Sequence, residues 1–162
     1  GRTLAQLPVR QPAWIESAPL VVRRERRVLA PPAAVWKHIA DHKSWPEWFT
    51  ALKQVQVTGE AEGVGGERAV SVPGATVGEV FTAWDPEQRF AFAVTSGPRV
   101  FAALAESVVL EPTADGCIVT YTQGIEPARY FGWLVKLGAG RAEKMLASAL
   151  DNLAARAEAD TG

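Results

Sequence analysis

The twenty residues Ala30 to Phe49, APPAAVWKHIADHKSWPEWF, constrain the fold more than any other stretch, because they encode two short helices back to back between two strands. Pro31 and Pro32 stop the strand before them. Both suit a first helical turn, where a missing N–H costs nothing and the proline φ is already helical. Val35, Trp36 and Ile39 then recur at helical spacing. Ser44 to Glu47 fits a capping box, in which the Ser44 hydroxyl and the Glu47 carboxylate satisfy reciprocal backbone donors of a second helix carrying Trp48 and Phe49. Two helices inserted between the first two strands of an antiparallel run form a cradle across which a later helix can lie. A cavity is the expected product.

The remaining elements follow from period and punctuation. Leu20 to Leu29 is the entering strand, and Lys53 to Thr58, with Val55 and Val57 in phase, the leaving one. Strands are expected over Glu67 to Val72, Ala75 to Trp84, Arg89 to Thr95, Val100 to Leu110 and Cys117 to Gln123. The turns between them are marked by Gly59 to Gly66, Pro73-Gly74, Asp85-Pro86 and Asp115-Gly116. From about Arg129 the period becomes 3.6, with Phe131, Leu134, Val135, Ala142, Met145, Leu146, Ala149 and Leu153 on one stripe. Gly138 and Gly140 inside that helix each cost about 1 kcal/mol against alanine, which marks a bend or a need for space.

The order is therefore one strand, two helices, a six-strand meander and one long helix. A seven-stranded antiparallel sheet wrapped around that helix buries both apolar surfaces, an α+β domain over residues 20–160. Residues 1–19 contain three prolines and little periodicity, and are expected as an extended arm over the domain or a frayed terminus.

A length of 162 residues suits one domain with a real core. The formal net charge of -1 gives no global attraction to phosphate backbones, so no nucleic-acid partner is expected. Cys117 has no second cysteine to pair with. No apolar run approaches the roughly 20 residues of a spanning helix, so no stable membrane insertion is expected. With no charged and apolar leader at the start, a cytoplasmic location is expected, as a monomer or homodimer.

Most motif candidates resolve into bland readings. His38 and His42 are four apart, but no cysteine or acidic cluster accompanies them, so solvent-facing side chains and no metal or cofactor are expected. Gly63-Val64-Gly65-Gly66 lacks the lysine and following helix of a phosphate loop and is a turn. Arg23-Arg24-Glu25-Arg26-Arg27 alternates faces on a strand and belongs to a solvated outer surface. No Ser-His-Asp or Cys-His arrangement points to a covalent nucleophile.

The interior carries the sharper reading. If Leu104, Val108 and Leu110 face inward, period two brings Glu106 with them, and Val119 brings Tyr121 and Gln123. A carboxyl so placed needs a partner, for which Arg68 and Arg141 are the candidates. The alternative is a β-bulge that reverses parity and carries Glu106 to solvent. Trp36, Trp84 and Trp133 are expected as core fillers, and Trp48 as a ligand contact near the cavity mouth. Trp48, Phe92, Leu104, Tyr121, Leu134 and Met145 would line the cavity, with Glu106, Gln123 and Arg141 orienting polar groups.

Five segments carry a resemblance: Ala30 to Trp36; Trp45-Pro46-Glu47-Trp48; Trp84-Asp85-Pro86 with Arg89-Phe90; Leu110-Glu111-Pro112 with Asp115-Gly116; and Leu150-Asp151-Asn152-Leu153 with Ala157-Glu158. In order and spacing they span residues 20–158, and the chain resembles the polyketide cyclase/dehydrase family of the START/Bet v 1-like (SRPBCC) helix-grip superfamily. The resemblance implies a sheet gripping the last helix. It implies a hydrophobic small-molecule partner, lipid or polyketide-like, held between sheet and helix. It equally allows a cyclase or dehydratase without metal or nucleotide cofactor, in which Glu106 or Tyr121 shuttles protons. A third possibility is an interaction module, a chaperone cofactor or toxin-like regulator, working through the outer sheet face or the arm. Fold alone does not choose among them.

Overall fold

A computed structural model describes residues 4–161. Its elements run β1 (Leu4–Gln6), α1 (Pro12–Ile15), β2 (Leu20–Val28), α2 (Pro32–Ala40), a 3-10 turn (His42–Ser44) and α3 (Trp45–Trp48). They continue with β3 (Gln54–Val57), β4 (Glu67–Val72), β5 (Ala75–Asp85), β6 (Arg89–Pro98), β7 (Phe101–Thr113), β8 (Gly116–Pro127), α4 (Gly132–Leu137) and α5 (Ala139–Thr161). The cradle forms as its sequence dictates at one end, with Pro31 as N-cap and Pro32 opening α2. The capping box does not form. Ser44 already has helical angles, φ -83° and ψ -10°, so its hydroxyl donates back to the Asp41 carbonyl at 2.8 Å. Glu47 instead pairs with Arg156 of α5 at 3.3 Å.

All pairings are antiparallel, in the order β2-β8-β7-β6-β5-β4-β3, with β1 added on β6. The sheet thus has eight strands, one more than expected, because the arm contributes one. Residues 1–3 of that arm lie outside the described residues. Beyond β1, the arm turns into α1, whose Ile15 is buried against Ala93 and Ala105 on the convex face. Gly124 makes this seat possible: a Cβ there would stand 2.7 Å from the Ile15 carbonyl oxygen. Extra residues near Thr82 and Thr95, where the β5–β6 register shifts, add local twist and curl the sheet.

On the concave face α5 presents Leu146, Ala149, Leu150, Leu153, Ala154 and Ala157 as one buried stripe. The three alanines let the helix lie close against β2 and α2. Its last turns are tied down by Asp160 to His38 at 2.7 Å and by Glu158 accepting from the Leu29 amide at 2.8 Å. The long helix expected from Arg129 is broken at Gly138 into α4 and α5. Its amino-terminal apolar residues therefore leave the stripe. Trp133, expected as a core filler, is 67% exposed, whereas Trp36 is in the core and Trp84 packs edge-on against it. Among the described residues no helix is long and apolar enough to cross a membrane.

Candidate ligand-binding cavity

Between the curled sheet, the α3 segment and Met145 of α5 the packing leaves a cavity of about 390 Å³, adjoined beneath α4 and the α4–α5 junction by a compartment of about 320 Å³. Phe101, Leu104, Glu106, Gln123 and Met145 border both, so the two spaces meet at these residues. The larger space is walled mainly by apolar groups, among them Trp45, Phe49, Val70 and Phe92. Leu134 and Val135 of α4 roof the smaller one.

Glu106 faces this space because the β7–β8 register runs unbroken from Ala103 to Thr113, with Glu106 opposite Gln123. The only shift in that pairing lies upstream, between Phe101 and Ala103, so parity is not reversed at Glu106. The Tyr121 hydroxyl donates to Glu106 Oε1 at 2.6 Å and the Gln123 amide to Oε2 at 3.4 Å. Burial, and then the nearby charge of Glu79, push the Glu106 carboxyl up to about 7, against the opposing pull of the Tyr121 hydrogen bond. Burial and the same carboxyl hold the Tyr121 phenol well above its ordinary value, so it acts as a hydrogen-bond donor.

A second polar group crosses the cavity wall from β4 and β5. Arg68 is only 1% exposed, with two of its three side-chain nitrogens hydrogen-bonded to other side chains. Its Nε donates to Glu79 Oε1 at 2.7 Å and its Nη1 to His42 Nδ1 at 3.1 Å, and its guanidinium lies 4.1 Å from the Trp45 ring centre. His42 Nε2 donates to the Ala61 carbonyl at 2.7 Å, so both ring nitrogens are used. Burial and the Arg68 charge lower the His42 pKa to about 4, leaving the ring neutral near pH 7. Burial raises the Glu79 carboxyl, and the Arg68 charge opposes that rise. The site therefore contains two buried carboxyl groups and one guanidinium. Glu79 takes the guanidinium, and Glu106 is the carboxyl that can hold a proton.

Phe92, Leu104, Glu106, Tyr121 and Gln123 come together on the cavity wall, with Leu134 and Met145 at its half-exposed rim. Two expected residues fall elsewhere. Trp48 is fully buried, 4.5 Å from the Trp45 ring, and does not border the cavity; Trp45, one helical turn earlier, holds that place. Arg141 is exposed in an outer groove with Lys144 and Met145, away from Glu106. Neither arginine considered as a partner bonds Glu106, because Arg68 is committed to Glu79. His38 and His42 are buried and not solvent-facing. Among the described residues no cluster of three or more His, Cys, Asp or Glu side chains is placed to hold a metal ion.

Glu79, the partner that Arg68 takes in place of Glu106, was missed at the sequence level, yet it had a signal. Arg68 shares period-two parity with Val70 and Val72, and Glu79 with Val77 and Phe81, and the register sets Arg68 directly opposite Glu79. An oppositely charged pair in phase with apolar neighbours on adjacent strands is a buried pair.

An antiparallel sheet curled around a long carboxy-terminal helix, with a cavity between the two, defines a helix-grip protein. Residues 19–158 match the model of the polyketide cyclase/dehydrase and lipid transport family, and the chain belongs to that family. Protein TTHA0849 of Thermus thermophilus is similar in structure, with a TM-score of 0.71 and 25% identity over 88% of this chain and 100% of that one. The Zhui aromatase/cyclase of a Streptomyces species matches with a TM-score of 0.69 and 19% identity, over 88% of this chain and 96% of that one. Truncated norcoclaurine synthase of Thalictrum flavum matches with a TM-score of 0.67 and 19% identity, over 83% of this chain and 91% of that one. No curated protein sequence matches the chain.

Proposed function

We propose that this protein binds a hydrophobic or aromatic small molecule, lipid or polyketide-like, in the cavity between the sheet and α5. The observation that carries this reading is an apolar space of about 390 Å³ with one carboxyl, Glu106, at its junction with a second compartment. That volume falls within the roughly 300–1,000 Å³ range of small-molecule sites, which are mostly apolar with a few placed polar groups. The aromatic wall supplies affinity. A protonated Glu106 donates to a ligand oxygen, and Gln123 offers an amide beside it. Native mass spectrometry of the purified protein is the test, with Leu104→Trp as the comparison, since Leu104 borders both compartments. The expected result is a co-purifying hydrophobic molecule in the wild type that is lost in Leu104→Trp. A wild type that carries no such molecule and takes up no hydrophobic dye would overturn the reading.

The Glu106–Tyr121 pair favours a second reading, a cyclase or dehydratase. A carboxyl near pKa 7 is populated in both forms at neutral pH and is suited to general acid and base work. Glu106 as carboxylate takes a proton from a carbon beside a carbonyl and returns it to a departing hydroxyl, which leaves as water. Tyr121 stabilises the carboxylate form by its hydrogen bond. On a polyketide substrate, Glu106→Gln is expected to abolish turnover while leaving the fold intact. Retention of full activity in that variant would overturn the role given to Glu106, and absence of turnover by the wild type on polyketide substrates would leave the binding reading alone.

A further inference from the structure

We propose that the outward face of α4 docks the cavity mouth onto the surface of an anionic lipid bilayer. Helix α4 is apolar on both sides. Leu134 and Val135 turn inward to roof the smaller compartment, while Trp133 and Leu137, one turn apart, point outward at 67% and 74% exposed. Tyr130 precedes them at 79% exposed. An exposed patch of large apolar side chains is normally covered, and this one lies on the surface beside Lys136.

Charge and residue type say what covers it. Between Arg129 and Met145 the exposed charges are Arg129, Lys136, Arg141 and Lys144 against Glu143 alone, on a chain whose formal net charge is -1. A cationic segment that exposes a tryptophan, a tyrosine and a leucine matches the boundary of an anionic bilayer, where indole and phenol rings settle and each basic side chain adds attraction. A second copy of the chain is a poorer fit, because a two-fold contact would bring the same cations face to face. Docking in this way sets the rim residues Leu134 and Met145 against the acyl boundary, so a greasy ligand reaches the cavity without crossing water.

The test is flotation of the full chain with phosphatidylcholine vesicles and with mixed phosphatidylcholine–phosphatidylglycerol vesicles. Binding is expected to the mixed vesicles only, and to weaken as salt is raised. Trp133→Ser and Leu137→Ser are each expected to weaken it about tenfold, and Lys136→Glu about fivefold or more. These side chains are exposed, so dye uptake by the cavity without vesicles should be unchanged, which separates failure of docking from failure of the cavity reading. Absence of binding to the mixed vesicles, or binding undiminished in the Trp133 and Leu137 variants, would overturn the proposal. So would a concentration-dependent dimer in sedimentation velocity that those variants abolish, which would assign the face to a second copy.

Discussion

The hydroxyl of Tyr121 on β8 lies 2.6 Å from Glu106 Oε1 on β7, a bond made between residues of the same face on neighbouring strands. It pulls the carboxyl toward its charged form while burial pushes the other way. Tyr121→Phe removes the pull without changing the ring. The Glu106 pKa is therefore expected to rise above about 7. A pH titration of the side-chain carboxyl by carbon-13 NMR reads this directly; an unchanged or lowered value would mean that the hydrogen bond does not govern the group.

Glu106 also leaves a mark on stability. Its ordinary value is 4.5 and its folded value about 7, so its contribution is best below pH 4.5 and is lost as the pH rises through about 7. Glu106→Gln cannot lose a proton. It is expected to match the wild type near pH 4 and to exceed it at pH 8 by roughly 2–3 kcal/mol, measured by urea unfolding. His42 works in the opposite sense. Lowered from 6.5 to about 4, it favours the fold above pH 6.5 and its contribution is lost as the pH falls toward 4. The variant freed of Glu106 is therefore expected to lose stability in acid more steeply than the wild type.

Arg68 and Glu79 form a buried pair whose halves are unequal to the whole. Arg68→Leu leaves the Glu79 carboxylate without a cation and is expected to cost about 3–5 kcal/mol. Arg68→Leu combined with Glu79→Leu removes both charges, and is expected to recover a large part of that loss. A double-mutant cycle by chemical unfolding measures the coupling. Additive costs would show that the 2.7 Å contact carries no net interaction.

Gly116 sets how closely β2 and the segment leaving it approach the β7–β8 hairpin. A Cβ there would meet the Val28 carbonyl oxygen at 2.0 Å and the Ala30 amide at 2.9 Å, both backbone atoms. Gly116→Ala is expected to cost about 2 kcal/mol or more. At Gly140, in α5, a Cβ meets nothing within 4 Å, and Gly140→Ala is expected to gain up to about 1 kcal/mol. Thermal unfolding of the two variants against the wild type should show opposite shifts.

Local rules carried the element order. Period two and turn residues located every strand of the meander, with β4 at its expected bounds, because each signal comes from neighbours in the chain. The same parity, continued along β7 and β8, turned Glu106, Tyr121 and Gln123 to one side. What parity lacks is any knowledge of which side chain occupies a given point in space. Trp45 and Trp48 are three residues apart on one short helix, and only the way α3 rests on α5 and the sheet decides that Trp45 meets the cavity. Arg141 is as well placed in the helical stripe as its neighbours, yet the break at Gly138 and the packing of α5 put it outside. The seat of the amino-terminal arm was equally illegible, because it is made by Ile15 over Gly124, residues more than a hundred positions apart in the chain. Contacts along the chain are written in spacing, whereas contacts across it depend on how whole elements share one limited volume.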